Sequence, residues 1–102
     1  MVAKHEGIVE RLAAEAIRLG ADLVEVEYKD DYEEVIAAGG GAGYGIARFR
    51  SSSPQAIALR EELYRLAKRR QRITVDGIQY ELRGRVYESF GEDAFRVQLR
   101  RV

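Results

Sequence analysis

The chain has no cysteine, one histidine and one proline in 102 residues. It also has no apolar run near the ~20 residues that span a bilayer. Without cysteine there are no disulfides, no thiol nucleophile and no thiolate metal site. One histidine, His5, with Glu6 beside it, cannot seed a zinc site that needs three or four ligands. No metal and no cofactor is therefore expected. No lysine stands between Lys29 and Lys68, so the glycine-rich stretch in that interval lacks the Gly-Lys-Ser/Thr of a P-loop. The opening "MVAKHEGIVERLAAEAIRLG" sets acids within its apolar periodicity, unlike a signal or transit peptide. A cytoplasmic location is the default expectation.

What is present is ordinary for one small globular domain, expected over 1–102: 46% hydrophobic and 33% charged residues. Formal net charge is zero but unevenly spread. Residues 1–51 carry six Lys/Arg against ten Asp/Glu, and residues 52–102 carry eleven against seven, giving −4 and then +4. Such a bipolar chain can attract a charged partner or its own copy within a Debye length of ~8 Å.

Ile8, Leu12, Ala16 and Leu19 recur at helical spacing and predict a helix over about 4–19, closed by Gly20 in the left-handed cap position. In "LVEVEYKDDYEEVIAA", Val24, Val26 and Tyr28 alternate with acids, which predicts a half-buried strand. "KDD" then turns the chain into a second strand. A third strand, "YGIARFR", follows the glycines. Ser53 and Pro54 suit the N-cap and first position of a second helix, about 54–70, whose stripe is Ala56, Leu59, Leu63, Leu66 and Ala67. "RITV" is a short strand, and Asp76–Gly77 is a hairpin signal. "IQYELRGRVYES" is a long strand in which Gly84 marks a bulge or bend. "FGED" turns the chain into a last strand, "AFRVQLRRV". The expected fold is α+β: a two-layer antiparallel β-sheet with two helices on one face, in the order α-β-β-β-α-β-β-β. Shifting one half by 51 residues lays Ile8 on Leu59, Leu12 on Leu63, Val24 on Val75 and Val35 on Val86. A repeated αβββ plan, 1–51 and 52–102, would do this, and so would coincidence between two amphipathic halves.

In residues 4–70 the order helix, three strands, helix resembles the double-stranded-RNA-binding domain. "GYGIARFRSSSPQAIALREEL" follows that family's path from third strand into second helix. Those domains set lysines at the start of that helix, where this chain has Ser51 to Gln55, and three further strands follow here. A helix followed by "ADLVEVEY" is similar to the N-terminal domain of ribosome maturation factors over a short stretch. Neither likeness assigns a family.

Gly39, Gly40, Gly41, Gly43 and Gly45 lead into a strand, not a helix, so they are expected to form a flexible hairpin loop and not a phosphate cradle. Glu25, Glu27, Asp30, Asp31, Glu33 and Glu34 are expected as solvated charges of the first hairpin. Tyr44, Tyr87 and Phe90 are candidate exposed aromatic platforms.

Two helices on one face leave the other sheet face partly open. Leu23, Glu25, Arg83, Arg85, Tyr87, Arg96, Gln98 and Arg100 are its candidates. With Lys68, Arg69, Arg70 and Arg72 at the end of the second helix, the basic and aromatic members form the candidate binding surface. No cysteine, second histidine, nucleophile elbow or cofactor fingerprint points to an enzyme. The expectation is a small non-catalytic interaction domain for a protein partner or for itself. A homodimer would form by pairing of an exposed final strand or by stacking of sheets. RNA binding through the arginines is the alternative, with zero net charge against it.

Overall fold

The computed structural model describes residues 7–102 and shows a six-stranded antiparallel sheet with two helices. The elements are α1 (Ile8–Arg18), β1 (Leu23–Lys29), β2 (Tyr32–Gly39), β3 (Ala42–Arg50), α2 (Pro54–Lys68), β4 (Gln71–Val75), β5 (Ile78–Ser89) and β6 (Glu92–Arg101). Each half contributes a helix and then a three-stranded meander. The strand order is β3-β2-β1-β6-β5-β4, so the halves join where β1 pairs with β6. His5 lies outside the described residues.

Local chemistry sets the element ends. Gly20 at φ +85° closes α1. Its N–H reaches the Ile17 carbonyl and the Ala21 N–H reaches that of Ala16, the paired bonds of a Schellman cap. The start of α1 is capped from α2: the Glu62 carboxylate accepts from the Ile8 and Val9 amides at 3.2 and 2.9 Å. In α2 the Ser53 hydroxyl accepts from the Ala56 amide at 3.1 Å, ahead of Pro54.

All four hairpins close through two residues with positive φ: Asp30–Asp31, Gly40–Gly41, Asp76–Gly77 and Phe90–Gly91. Type I′ geometry of this kind matches the twist of the flanking strands. The glycine stretch is thus a bend. Gly40 and Gly41 form the turn, while Gly39, Gly43 and Gly45 lie in strands. Gly43 and Gly39 are closely approached by their neighbours. A Cβ on Gly43 would lie 3.3 Å from Ile36, and one on Gly39 3.2 Å from Ala21.

One core joins both halves. Ile8, Leu12 and Ala16 of α1 and Leu59, Leu63 and Leu66 of α2 pack over Val24, Val26, Val35, Leu82, Phe95 and Val97. Cross-strand register keeps these on one sheet face, with Val26 opposite Phe95 and Leu82 opposite Leu99. Intervening residues such as Arg83, Arg85, Arg96 and Arg100 point to the other face and are exposed.

Three expectations are corrected. The final strand is not an edge strand: β6 sits between β1 and β5, and β1 covers it from Phe95 to Gln98. Gly84 makes no bulge, because β5 and β6 keep one register throughout. It is instead where α2 touches the sheet, and a Cβ there would lie 3.0 Å from the Ala67 nitrogen and the Leu66 carbonyl carbon. Glu33 is not a solvated edge charge. It is 3% exposed, and its carboxylate accepts from Arg60 Nη1 and Ser51 Oγ, each at 2.9 Å.

Candidate functional site: a cationic notch beside β5

The site arises from unequal strand lengths. β4 has five residues and β5 has twelve. β4 covers β5 only from Ile78 to Leu82. From Arg83 to Ser89, β5 has β6 on one side and no strand on the other. An uncovered strand edge presents backbone N–H and C=O groups to any extended chain beside it.

The chain that leaves α2 frames this gap. α2 crosses the core face and rests its last turn on Gly84, and Lys68–Arg70 then descend to Gln71 opposite Leu82. A cleft of about 400 Å³ opens between that segment and β5. Six cations line it, Lys68, Arg69, Arg70, Arg83, Arg85 and Arg96, beside the exposed Ala67 and the buried Leu66. No carboxylate is among its lining residues.

Six of the nine residues singled out in the sequence thus converge on one cleft. Arg72 and Arg100 stand beyond it on the open face, each opposite Glu81 in register. Tyr87 is set apart from the cleft. Arg96 lies over its ring at 5.1 Å, and its hydroxyl donates to Glu27 at 3.3 Å. Burial, then the nearby Glu27 and Glu25, pushes the Tyr87 phenol above its ordinary value. Its ring is therefore not a free platform.

The cations divide into two sets. Arg70 and Arg83 are paired to Glu81 at 3.6 and 3.9 Å, and Arg96 to Glu25 at 3.0 Å. Among the described residues Lys68, Arg69 and Arg85 form no ion pair. Half a charge at a helix C-terminus needs far less than this to balance it. The notch therefore holds a positive field over exposed backbone donors and acceptors.

Sequence reading singled out the cations but not the open edge of β5. The signal was present: "RITV" cannot cover "IQYELRGRVYES". Among the described residues no cluster of three or more His, Cys, Asp or Glu could hold a metal ion, and no helix is long and apolar enough to cross a membrane. No protein-family model and no curated protein matches the chain.

Proposed function

We propose that this is a non-catalytic interaction domain that receives an extended, acidic strand of a protein partner in the notch beside β5. The observation that carries the reading is the coincidence of an unpaired strand edge, Arg83–Ser89, with six cations in one cleft. Strand addition of this kind takes affinity from main-chain hydrogen bonds and specificity from the side chains beside them. The other two edges are guarded. β3 carries a bulge where Val35 faces Ala47 and Ile36 faces Gly45, and β4 is only five residues long. Bulges and short edge strands both discourage strand pairing.

The test uses a labelled peptide of alternating valine and glutamate, followed by fluorescence anisotropy. Binding is expected at low salt and should weaken about tenfold in an Arg69→Glu, Arg85→Glu double variant, since like charges then meet. Absence of binding at low salt overturns the reading.

A second reading rests on Lys68, Arg69 and Arg85, which have no carboxylate partner among the described residues: the same cleft would bind RNA phosphates. Glu81 and Glu25 already occupy the other three arginines, and Tyr87 offers no free ring, so the protein reading leads. Structured RNA titrated at low and high salt separates the two, because phosphate contacts produce a steep salt dependence.

A further inference from the structure

The β5–β6 hairpin ends in an unusual tip. Phe90 sits at φ +53° and is 103% exposed, which makes it fully solvated. A bulky side chain rarely takes the left-handed region, where Asn or Gly costs less. Phe90 therefore combines an unfavourable backbone angle with an unburied aromatic ring. The turn requires the angle but not an aromatic ring, and the choice of Phe at this cost points to a use outside the molecule.

The β5 arm of the hairpin is also uncovered. β1 pairs with β6 only from Phe95 to Gln98, and β4 reaches β5 only as far as Leu82. From Arg83 to Ser89, β5 thus runs beyond β4, while on the β6 arm Tyr28 and Tyr64 stand beside Gly91, Glu92 and Asp93. Glu88, Glu92 and Asp93 surround the tip. An aromatic ring ringed by acids is repelled by phosphates and anionic lipid. It fits an apolar patch surrounded by cations.

This same chain has a matching cleft, where the exposed Ala67 lies among Lys68, Arg69, Arg70 and Arg85. The cleft and the tip lie at the two ends of one unpaired strand edge. We infer that the occupant of the notch is a second copy of this chain, whose β5 pairs antiparallel with β5 and whose Phe90 seats against the exposed Ala67. This inference rests on the strand-docking reading above. An antiparallel pair of identical strands implies a two-fold axis normal to the sheet, near Val86 or Tyr87. That axis keeps the helices of both copies on one face. It carries each acidic tip toward the other copy's cationic cleft, so both contacts form twice, as in a closed isologous dimer. An aromatic anchor with charged surroundings, present once at each end of the paired strands, has the composition of an interface hot spot.

Sedimentation velocity of the full chain over a concentration series tests this. A reversible dimer is expected, weakened more than about tenfold by Phe90→Ala. Two charge-reversed variants supply the sharper arm: Lys68→Glu with Arg69→Glu, and Glu88→Lys with Glu92→Lys. Each alone sets like charge against like at both contacts and should be monomeric. Mixed in equal amounts they restore both contacts and should dimerise. Circular dichroism of each variant confirms that it is folded.

A wild-type chain that stays monomeric throughout overturns the proposal, and so does a dimer indifferent to all three changes. Variants that are monomeric alone and remain so when mixed overturn the assignment of tip to cleft. If the wild type is monomeric yet still binds the valine–glutamate peptide, the notch reading stands and only the second copy is wrong.

Discussion

Arg60 of α2 reaches the buried carboxylate of Glu33 on β2 at 2.9 Å, and its second guanidinium nitrogen donates to the Ser51 carbonyl at 3.2 Å. This pair ties the start of α2 to the far side of the sheet from the notch, so it helps to set the angle at which α2 crosses to Gly84. Removing one member leaves the other uncompensated, which costs more than the pair contributes. Arg60→Ala should destabilise by about 2–4 kcal/mol, the lower part of the range reflecting the partial exposure of Arg60. Glu33→Gln should cost less, because the amide oxygen still accepts from Ser51 and Arg60. Urea denaturation of the three proteins checks the order. A loss for Arg60→Ala no larger than for an exposed surface pair would show that Glu33 finds water instead.

Gly84 is the second fixed point of α2. An alanine Cβ there would press on helix backbone, which cannot swing aside as a side chain can. Gly84→Ala should cost about 1–3 kcal/mol by overpacking. Lifting the last turn of α2 should also move Lys68 and Arg69 away from β5, so the valine–glutamate peptide should bind more weakly than the stability loss alone explains. Denaturation and anisotropy on one variant measure the two effects. If Gly84→Ala is neutral in both, α2 does not rest on β5 as tightly as 3.0 Å implies.

These two contacts show what the sequence made legible and where it stopped. Helix stripes, caps and turns are local, and Ser53–Pro54, Gly20 and Asp76–Gly77 announced their roles through residue type. The open face followed from strand alternation. A strand glycine such as Gly84 signals a bulge, a bend or a close approach alike, and only the partner distinguishes them. The burial of Glu33 has no local signature, because its partner Arg60 lies 27 residues away on α2. The central place of β6 depends on which strand β1 meets, a long-range choice with no local signature. The cations of the notch were legible as residues. Their convergence depends on the path of α2.

Phe90 occupies a left-handed position that a smaller polar residue fills at lower cost. Phe90→Asn creates the Asn-Gly pair favoured in type I′ turns. It should stabilise the monomer by about 0.5–1 kcal/mol, since no contact of the exposed ring is lost and backbone strain is relieved. Thermal unfolding at low protein concentration isolates this effect from any association. A variant less stable than the wild type would show that the ring makes contacts within its own molecule. A variant that is more stable yet loses self-association would separate the folding role of the turn from its interface role.

Tyr64 packs edge-on against Phe95, with ring centres 5.0 Å apart, and its hydroxyl donates to Asp93. That hydrogen bond is the main cause that raises the Tyr64 phenol above its ordinary 10.0, with partial burial second. A raised folded-state value means that the protonated phenol is favoured by folding. Its stabilisation is therefore complete below pH 10.0 and is lost as pH climbs from there through the folded-state value. Tyr64→Phe keeps the ring packing and removes only the hydroxyl. The wild type should exceed this variant by about 0.5–1.5 kcal/mol at neutral pH. The gap should narrow as pH rises past 10.0, because the unfolded wild type then loses its proton before the folded form does. Urea denaturation of both proteins at matched pH values measures it. A gap that stays constant through the alkaline range would place the Tyr64 hydroxyl in solvent, free of Asp93.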